Sequence, residues 1–201
     1  MDVTIYNGLH AHLRPAAARL YWQAFGGKLG RVLGPDARAL RLFEKVIRGD
    51  HCLAALDGSG ALVGIAGFKT ATGSFAGAGP ADLVAGYGRL GGRWRGALLR
   101  ALSSDIDNDN FLIDGICVAP DRRGQGIGRR LLDALCHEAA QRGYRSVRLD
   151  VVQENHRARA LYDRLGFVPL RSERLGVLRL VYGFSGSTTM IRALDPDQDP
   201  A

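Results

Sequence analysis

Arginine and glycine converge at Arg122-Arg-Gly-Gln-Gly-Ile-Gly128. Glycines let a backbone approach a ligand closely and turn several N–H groups the same way. A helical pattern begins at Ile127, and a helix N-terminus adds partial positive charge. Arg122, Arg123, Arg129 and Arg130 add whole charges. In physical terms this is a cradle for a pyrophosphate. The same composition also suits a Gly-rich turn whose arginines face water. No Gly-Lys-Ser/Thr follows, so the segment is not a Walker A loop. A dinucleotide fingerprint needs its third glycine at 129, where Arg stands.

Other residues able to do chemistry are scattered. Asp114 interrupts the apolar run Phe111–Val118. A buried unpaired acid is costly, so Asp114 should have a partner or a task. Strand alternation puts it on one side with Leu112 and Ile116. Cys52, Cys117 and Cys136 are too far apart for a disulfide framework or a metal knuckle, and read as reduced core thiols. His10 and His12 could share a strand face, but no third metal ligand is near in sequence, so no metal is expected.

These residues need elements to hold them. Residues 2–6 alternate as a short strand. Pro15 opens a helix on which Leu20, Tyr21, Ala24 and Phe25 share a face, and Gly26-Gly27 reads as its end. Pro35-Asp36 opens a second, with Leu40, Phe43 and Ile47 on one side and Gly49 as the stop. Residues 52–56, the turn Asp57-Gly-Ser-Gly60 and residues 62–68 read as a hairpin. Residues 80–104 carry Leu83, Tyr87, Leu90, Trp94, Leu98 and Leu102 at helical spacing, with an interruption at residues 91–95, and residues 105–110 read as a polar loop.

The second half is clearer. Phe111–Val118 is a buried strand. Leu131, Leu132, Leu135, Cys136 and Ala139 lie on one helical face, closed by Gly143. Ser146–Val152 alternates as a strand. Asn155 caps a helix bearing Ala158, Leu161, Tyr162 and Leu165; by periodicity alone Tyr162 reads as packing. At least two more strands follow, the last over residues 188–193, and the acidic tail 195–201 should fray. Strand, helix, strand implies a right-handed crossover between parallel neighbours, so the fold class is α/β (α+β) with a mixed sheet.

The chain has 201 residues, a length that suits one domain. Hydrophobic residues make up 46% and charged residues 23%, which excludes a wholly disordered chain. No apolar run reaches the ~20 residues of a membrane span, and residues 1–15 lack the layout of a signal peptide, so a cytoplasmic protein without a membrane partner is expected. The net charge of +7 comes mostly from interspersed Arg, with no basic run. It is weak ground for a nucleic-acid partner, and none is expected.

Two motifs together resemble one family. Arg123-x-x-Gly126-x-Gly128, after a strand ending Val118-Ala-Pro120, resembles the acetyl-CoA loop of the GNAT superfamily of N-acetyltransferases. Asn155-x-x-Ala158-x-x-Leu161-Tyr162-x-x-x-Gly166-Phe167 resembles its second signature. The resemblance is sharp over residues 111–167 and looser before them. It implies a bacterial-type, single-domain member over residues 1–194. Its fourth and fifth strands would splay, with acetyl-CoA in the V between them. Ile116, Cys117 and Val118 would meet the pantetheine through backbone groups. Arg123, Gly124, Gln125, Gly126, Ile127, Gly128 and Arg129 would hold the pyrophosphate, and Asn155 the pantetheine arm. Tyr162 would protonate the departing thiolate; Asp150 or Asp114 would take the amine's proton, although a salt bridge to Arg is an equal reading of either acid. The implied acceptor is an amine of a small molecule or peptide. The alternative is an acyl-CoA-binding module without turnover. Residues 71–108 exceed the usual connection between the third and fourth strands; they are expected to cover the acceptor site, to form a homodimer contact, or to pack on the domain's own core.

Overall fold

The computed structural model describes residues 2–102, 110–176 and 179–194; for residues 101 and 102 only the backbone is described. The polar loop expected over 105–110 lies outside these residues except for Asn110, as does the tail 195–201. In chain order the elements are β1 (Val3–Asn7), α1 (Arg14–Leu33), α2 (Asp36–Val46), β2 (Cys52–Asp57), β3 (Leu62–Thr70), β4 (Gly73–Ser74), α3 (Pro80–Leu102), β5 (Phe111–Val118), α4 (Ile127–Gln141), β6 (Ser146–Val152), α5 (His156–Arg164), β7 (Val168–Arg174), α6 (Arg179–Tyr182) and β8 (Gly186–Ala193). The strands form one mixed sheet in the order β1-β2-β3-β5-β6-β8-β7, with β4 paired to β3. β5 and β6 are its parallel pair; the other pairings are antiparallel.

Each face of the sheet has its own core. α4 lays Ile127, Leu131, Leu132 and Leu135 against Phe68, Phe111, Val147, Leu149 and Met190. On the other face α1 and α2 bring Tyr21, Trp22, Leu42 and Phe43 against Ile65, Phe75 and Cys117. The alternation in β6 is regular: Val147, Leu149 and Val151 are buried toward α4, while Asp150 is exposed.

Two helices differ from the sequence reading. α1 does not stop at Gly26-Gly27 but runs on to Leu33. Beyond the glycines it still has apolar surface to bury, at Val32 and Leu33, and tertiary packing outweighs the ~1 kcal/mol that a glycine costs a helix. The break in α3 is at Gly88 (φ 76°, ψ 169°), not at residues 91–95. There the chain folds back, so that a Cβ at Gly92 would meet the backbone of Leu83 and Val84 at 2.6–2.7 Å. Only a glycine takes that φ cheaply and only a glycine fits that contact.

α3 packs on the chain's own frame. Leu83 and Tyr87 join the α1–α2 core. The Tyr87 hydroxyl donates to the Leu33 carbonyl, and Arg95 Nε to the Val32 carbonyl at 2.7 Å. Lys45 pairs with Asp82 at 3.1 Å. The Tyr182 hydroxyl donates to the Leu98 carbonyl at 2.8 Å and so ties α6 to α3. Leu90 (84% exposed) and Trp94 (45%) are left on the outside.

Glycines of opposite consequence lie in α1 and β3. A Cβ at Gly27 meets nothing within 4 Å, so Gly27→Ala should stabilise the fold by ~0.5–1 kcal/mol. A Cβ at Gly67 meets Cβ, Cγ and Cδ1 of the fully buried Phe75 at 2.5–2.7 Å, so Gly67→Ala should cost ~1–3 kcal/mol. Urea midpoints at unchanged m-value measure both; equal shifts of one sign would contradict this packing.

Candidate active site

β5 and β6 run side by side for only two residue pairs, Phe111 with Val147 and Leu112 with Arg148. Beyond Leu112 the strands part. On its other edge β5 stays with β3, but not in simple register. Gly67 faces Gly115 and Phe68 faces Ile113, so Asp114 is an extra residue, a bulge. The bulge reverses the facing of the rest of the strand. Phe111 and Ile113, then Ile116 and Val118, pack toward α4. Gly115 turns toward α1, where a Cβ would meet the Phe25 ring at 2.6 Å. Asp114 accepts from the Ser74 hydroxyl at 2.9 Å and the Ala76 N–H at 3.1 Å on that same side. It therefore does not share a face with Ile116, as uninterrupted alternation predicts. Sequence carries no signal for this bulge beyond the acid itself.

The parting strands open a cleft of about 650 Å³. Of the residues expected to hold the donor, Ile116, Cys117, Val118, Arg123, Gly124, Gly126, Ile127, Gly128, Arg129 and Asn155 line it, and so does Tyr162. Gln125 is exposed and is not among the lining residues. Gly124 (φ 85°) and Gly126 (φ 78°) take the left-handed conformation, and a Cβ on either would meet nothing within 4 Å. Gly126 is the N-cap of α4, whose first intrahelical bond runs from Arg130 N to Gly126 O. The N–H groups of Ile127, Gly128 and Arg129 thus have no partner within the helix and border the cleft.

The arginines of the loop are not equivalent. Arg122 is tied to Asp57 at 3.0 Å and fixes the loop to the β2–β3 turn. The Asp57 carboxyl is held below its ordinary value, first by the Ser59 hydroxyl and amide and then by Arg122. Arg123 Nε donates to the Val118 carbonyl at 3.2 Å. Arg129 is exposed and within 3.6 Å of Asp133. Sequence reasoning missed three cations on the same cleft: Arg157 and Arg164 of α5, and Lys28 of α1. Lys28 was hidden by the expected end of α1 at Gly27; a helix continued by one turn would have set it beside Ala24. Its Nζ lies 5.4 Å from the Phe25 ring centroid, and burial lowers its pKa.

Burial also acts on two further groups of the cleft. Burial pushes the Tyr162 phenol up to about 12, so it keeps its proton at neutral pH. Its ring lies against Phe167 at 5.9 Å. Burial also raises the Cys117 thiol well above its ordinary range, which suits a core thiol and not a thiolate nucleophile. The Asn155 side chain accepts from Ala158 N at 3.2 Å and so caps α5. These groups fit a CoA ester: cations and open N–H groups for phosphates, and an apolar lining at Phe25, Ile116 and Leu161.

A second chamber, of about 390 Å³, lies on the α1–α2 side. Asp114 and Asp150 both line it, with Tyr21, Leu33, Phe43, Lys69 and Leu99 among its walls. Burial raises the Asp114 carboxyl above its ordinary value. Asp150 accepts from the Thr189 hydroxyl at 2.5 Å. Tyr21 (second chamber) and Phe25 (cleft) are ring neighbours at 4.6 Å. His10 and His12 stand apart from both, stacked at a short helical turn and not on a strand. Among the described residues there is no group of three or more possible metal ligands, and no helix long and apolar enough to cross a membrane.

Known proteins share this fold. Among solved structures, an N-acetyltransferase from Staphylococcus aureus Mu50 superposes with TM-score 0.65 at 17% identity, covering 94% of this chain and all of that one. The ribosomal-protein-S18-alanine N-acetyltransferase of Escherichia coli gives 0.59 at 18% identity over 100% of this chain and 99% of its own. In sequence, the bS18-alanine N-acetyltransferase of Escherichia coli strain K12 is 42% identical over 59 residues, 29% of this chain and 40% of that enzyme. Mycothiol acetyltransferase of Beutenbergia cavernae is 45% identical over 53 residues, 26% of this chain and 18% of that enzyme. The chain thus spans less than half the length of these curated relatives. The model of the acetyltransferase (GNAT) family matches residues 15–167. The splayed strands, the glycine-rich turn and this match give one answer: the chain belongs to the GNAT acetyltransferase family.

Proposed function

We propose that the chain is an N-acetyltransferase that moves an acetyl group from acetyl-CoA directly to a primary amine. In this reading residues 1–194 work as one unit, with α3 inserted between β4 and β5. The observation that carries it is the opening between β5 and β6. There a cationic, glycine-rich turn and a protonated phenol border one cleft, and a half-buried acid lies on the opposite face of the sheet. A solved relative from Salmonella typhimurium, yncA, is described with its cofactor acetyl-CoA.

Each group has a task in this chemistry. The N–H groups of Ile127, Gly128 and Arg129 and the side chains of Arg123 and Arg129 hold the pyrophosphate. Backbone groups of Ile116–Val118, left without β6 partners, bond the pantetheine arm and polarise the thioester carbonyl. The amine must arrive neutral, so its proton passes to an acceptor, for which Asp114 is the better placed because burial favours its protonated form. The amine nitrogen then forms the amide bond as the carbon–sulfur bond breaks. Tyr162 gives its proton to the leaving thiolate. No acetylated cysteine is needed, in keeping with the raised Cys117 thiol.

Three outcomes test this reading. Gly126→Asp puts charge against the phosphates, whereas Gly126→Asn has the same size and tolerates the same φ. Calorimetry should find CoA affinity at least ~2 kcal/mol weaker in the Asp variant than in the wild type, with Asn between them; equal affinities would sink the phosphate site. Tyr162→Phe keeps the ring and removes the acid. Thiol release should slow ~10²–10⁴-fold with CoA affinity unchanged, and a rate within a few-fold of wild type would remove Tyr162 from the chemistry.

The third is the pH profile. The base works deprotonated, so kcat/KM should rise with pH along a limb above the ordinary carboxylate range, in the direction of the Asp114 shift. The acid works protonated, so activity should fall only as pH approaches the Tyr162 value of about 12. Asp114→Asn should erase the lower limb. A profile unchanged in that variant would assign the proton to another acceptor.

A further inference from the structure

Lys28 has no task in the transfer described above, yet it lines the cleft between the parted strands together with Phe25, Ile116, Cys117 and Tyr162. The chain uses arginine almost everywhere: of its 27 Lys and Arg, only Lys28, Lys45 and Lys69 are lysines. Among the described residues that line the cleft, Lys28 is the one primary amine. The other cations there are arginines, whose guanidinium keeps its charge and is no nucleophile.

Two contacts say where along the cleft this amine stands. The Phe25 ring occupies the space of a Gly115 side chain, 2.6 Å from a Cβ, on the segment of β5 that has left β6. Lys28 Nζ is 5.4 Å from the centroid of that ring. Cys117 is the titratable neighbour common to Lys28 and Tyr162. Lys28 therefore stands at the opening of the strands, whereas the glycine-rich turn for phosphates begins only after Val118. The amine is half-buried, and among the described residues it forms no ion pair. Lys45, by contrast, pairs with Asp82 at 3.1 Å, and Lys69 lines the chamber on the other face of the sheet. Burial lowers the pKa of Lys28, so a larger share of it is free amine than of a lysine in water.

We propose that Lys28 is a self-acetylation site: with no acceptor bound, the acetyl group of acetyl-CoA moves to its Nζ within the same chain. The inference rests on the reading that acetyl-CoA occupies this cleft. The step needs no further reactant. The neutral Nζ attacks the thioester carbonyl, the carbon–nitrogen bond forms and the carbon–sulfur bond breaks. The nitrogen gives one proton to water in the open cleft. Tyr162 gives one to the departing thiolate and recovers it from water. The products are free CoA and a neutral amide at Lys28, which removes one cation from the cleft.

The test incubates the full chain with acetyl-CoA and no added amine, then locates acetyl groups by mass after tryptic digestion. Lys45 and Lys69 of the same chain report the background. Lys28 should be acetylated at least ~10-fold faster than either, because a positioned amine gains over a free one. Its rate per chain should not depend on protein concentration, and excess free CoA should slow it while leaving Lys45 unchanged. Lys28→Arg should lose this label and keep the background at the other two. Acetylation of Lys28 no faster than that of Lys45 and Lys69, or unaffected by free CoA, overturns the inference. So does a rate that rises with protein concentration, since transfer would then run between chains. Calorimetry with acetyl-CoA separates this inference from the reading beneath it. Acetyl-CoA bound with Lys28 left unmodified refutes only the self-acetylation, and acetyl-CoA not bound at all overturns both.

Discussion

The structure depends on a ladder that stops. β5 and β6 pair through Leu112 and Arg148 and then separate, although six more residues of β5 follow. Backbone N–H and C=O groups left unpaired away from water are costly, so such an opening persists only where the frame holds it apart or a ligand completes it. Here the frame does so from both sides. α4 and the turn before it occupy one face, the turn fixed by Arg122 to Asp57. α1 occupies the other, with Tyr21 and Phe25 against the bulged segment of β5.

The bulge at Asp114 links the two halves of the site. Without the extra residue, Asp114 and Ile116 would face the same way. With it, the acid turns to the α1 side and Ile116 and Val118 turn to the α4 side. One strand thereby offers an acid to one chamber and backbone to the cleft opposite. Gly115 makes this possible, because the Phe25 ring stands where its side chain would be. The same arrangement leaves Asp114 half-buried, held by the Ser74 hydroxyl and the Ala76 N–H from the short β4 turn.

Sequence made one half of this site legible. The glycine-rich turn, the strand before it and the amphipathic helix after it are all local patterns, and most of their residues line the cleft together. Asn155 caps α5 because capping is a local interaction, readable from type and position. What stayed hidden was set by packing over distance. α1 passes through Gly26-Gly27 because Val32 and Leu33 have a core to enter, and Lys28 reaches the cleft only through that extension. The facing of Asp114 follows from its register with β3, and the turn of α3 from a φ at Gly88 that the pattern of apolar residues does not reveal. Arg157 and Arg164 reach the cleft only because α5 is set against it, which no local pattern reveals.

The claim that the separated strands receive the acyl donor is tested most directly by amide hydrogen exchange with and without CoA. The account predicts slowed exchange at Cys117 and Val118 and at Gly124–Arg129, with the amides of β1 and β7 unchanged. CoA binding that left the β5 and turn amides unprotected, or protected only some other face of the sheet, would contradict it.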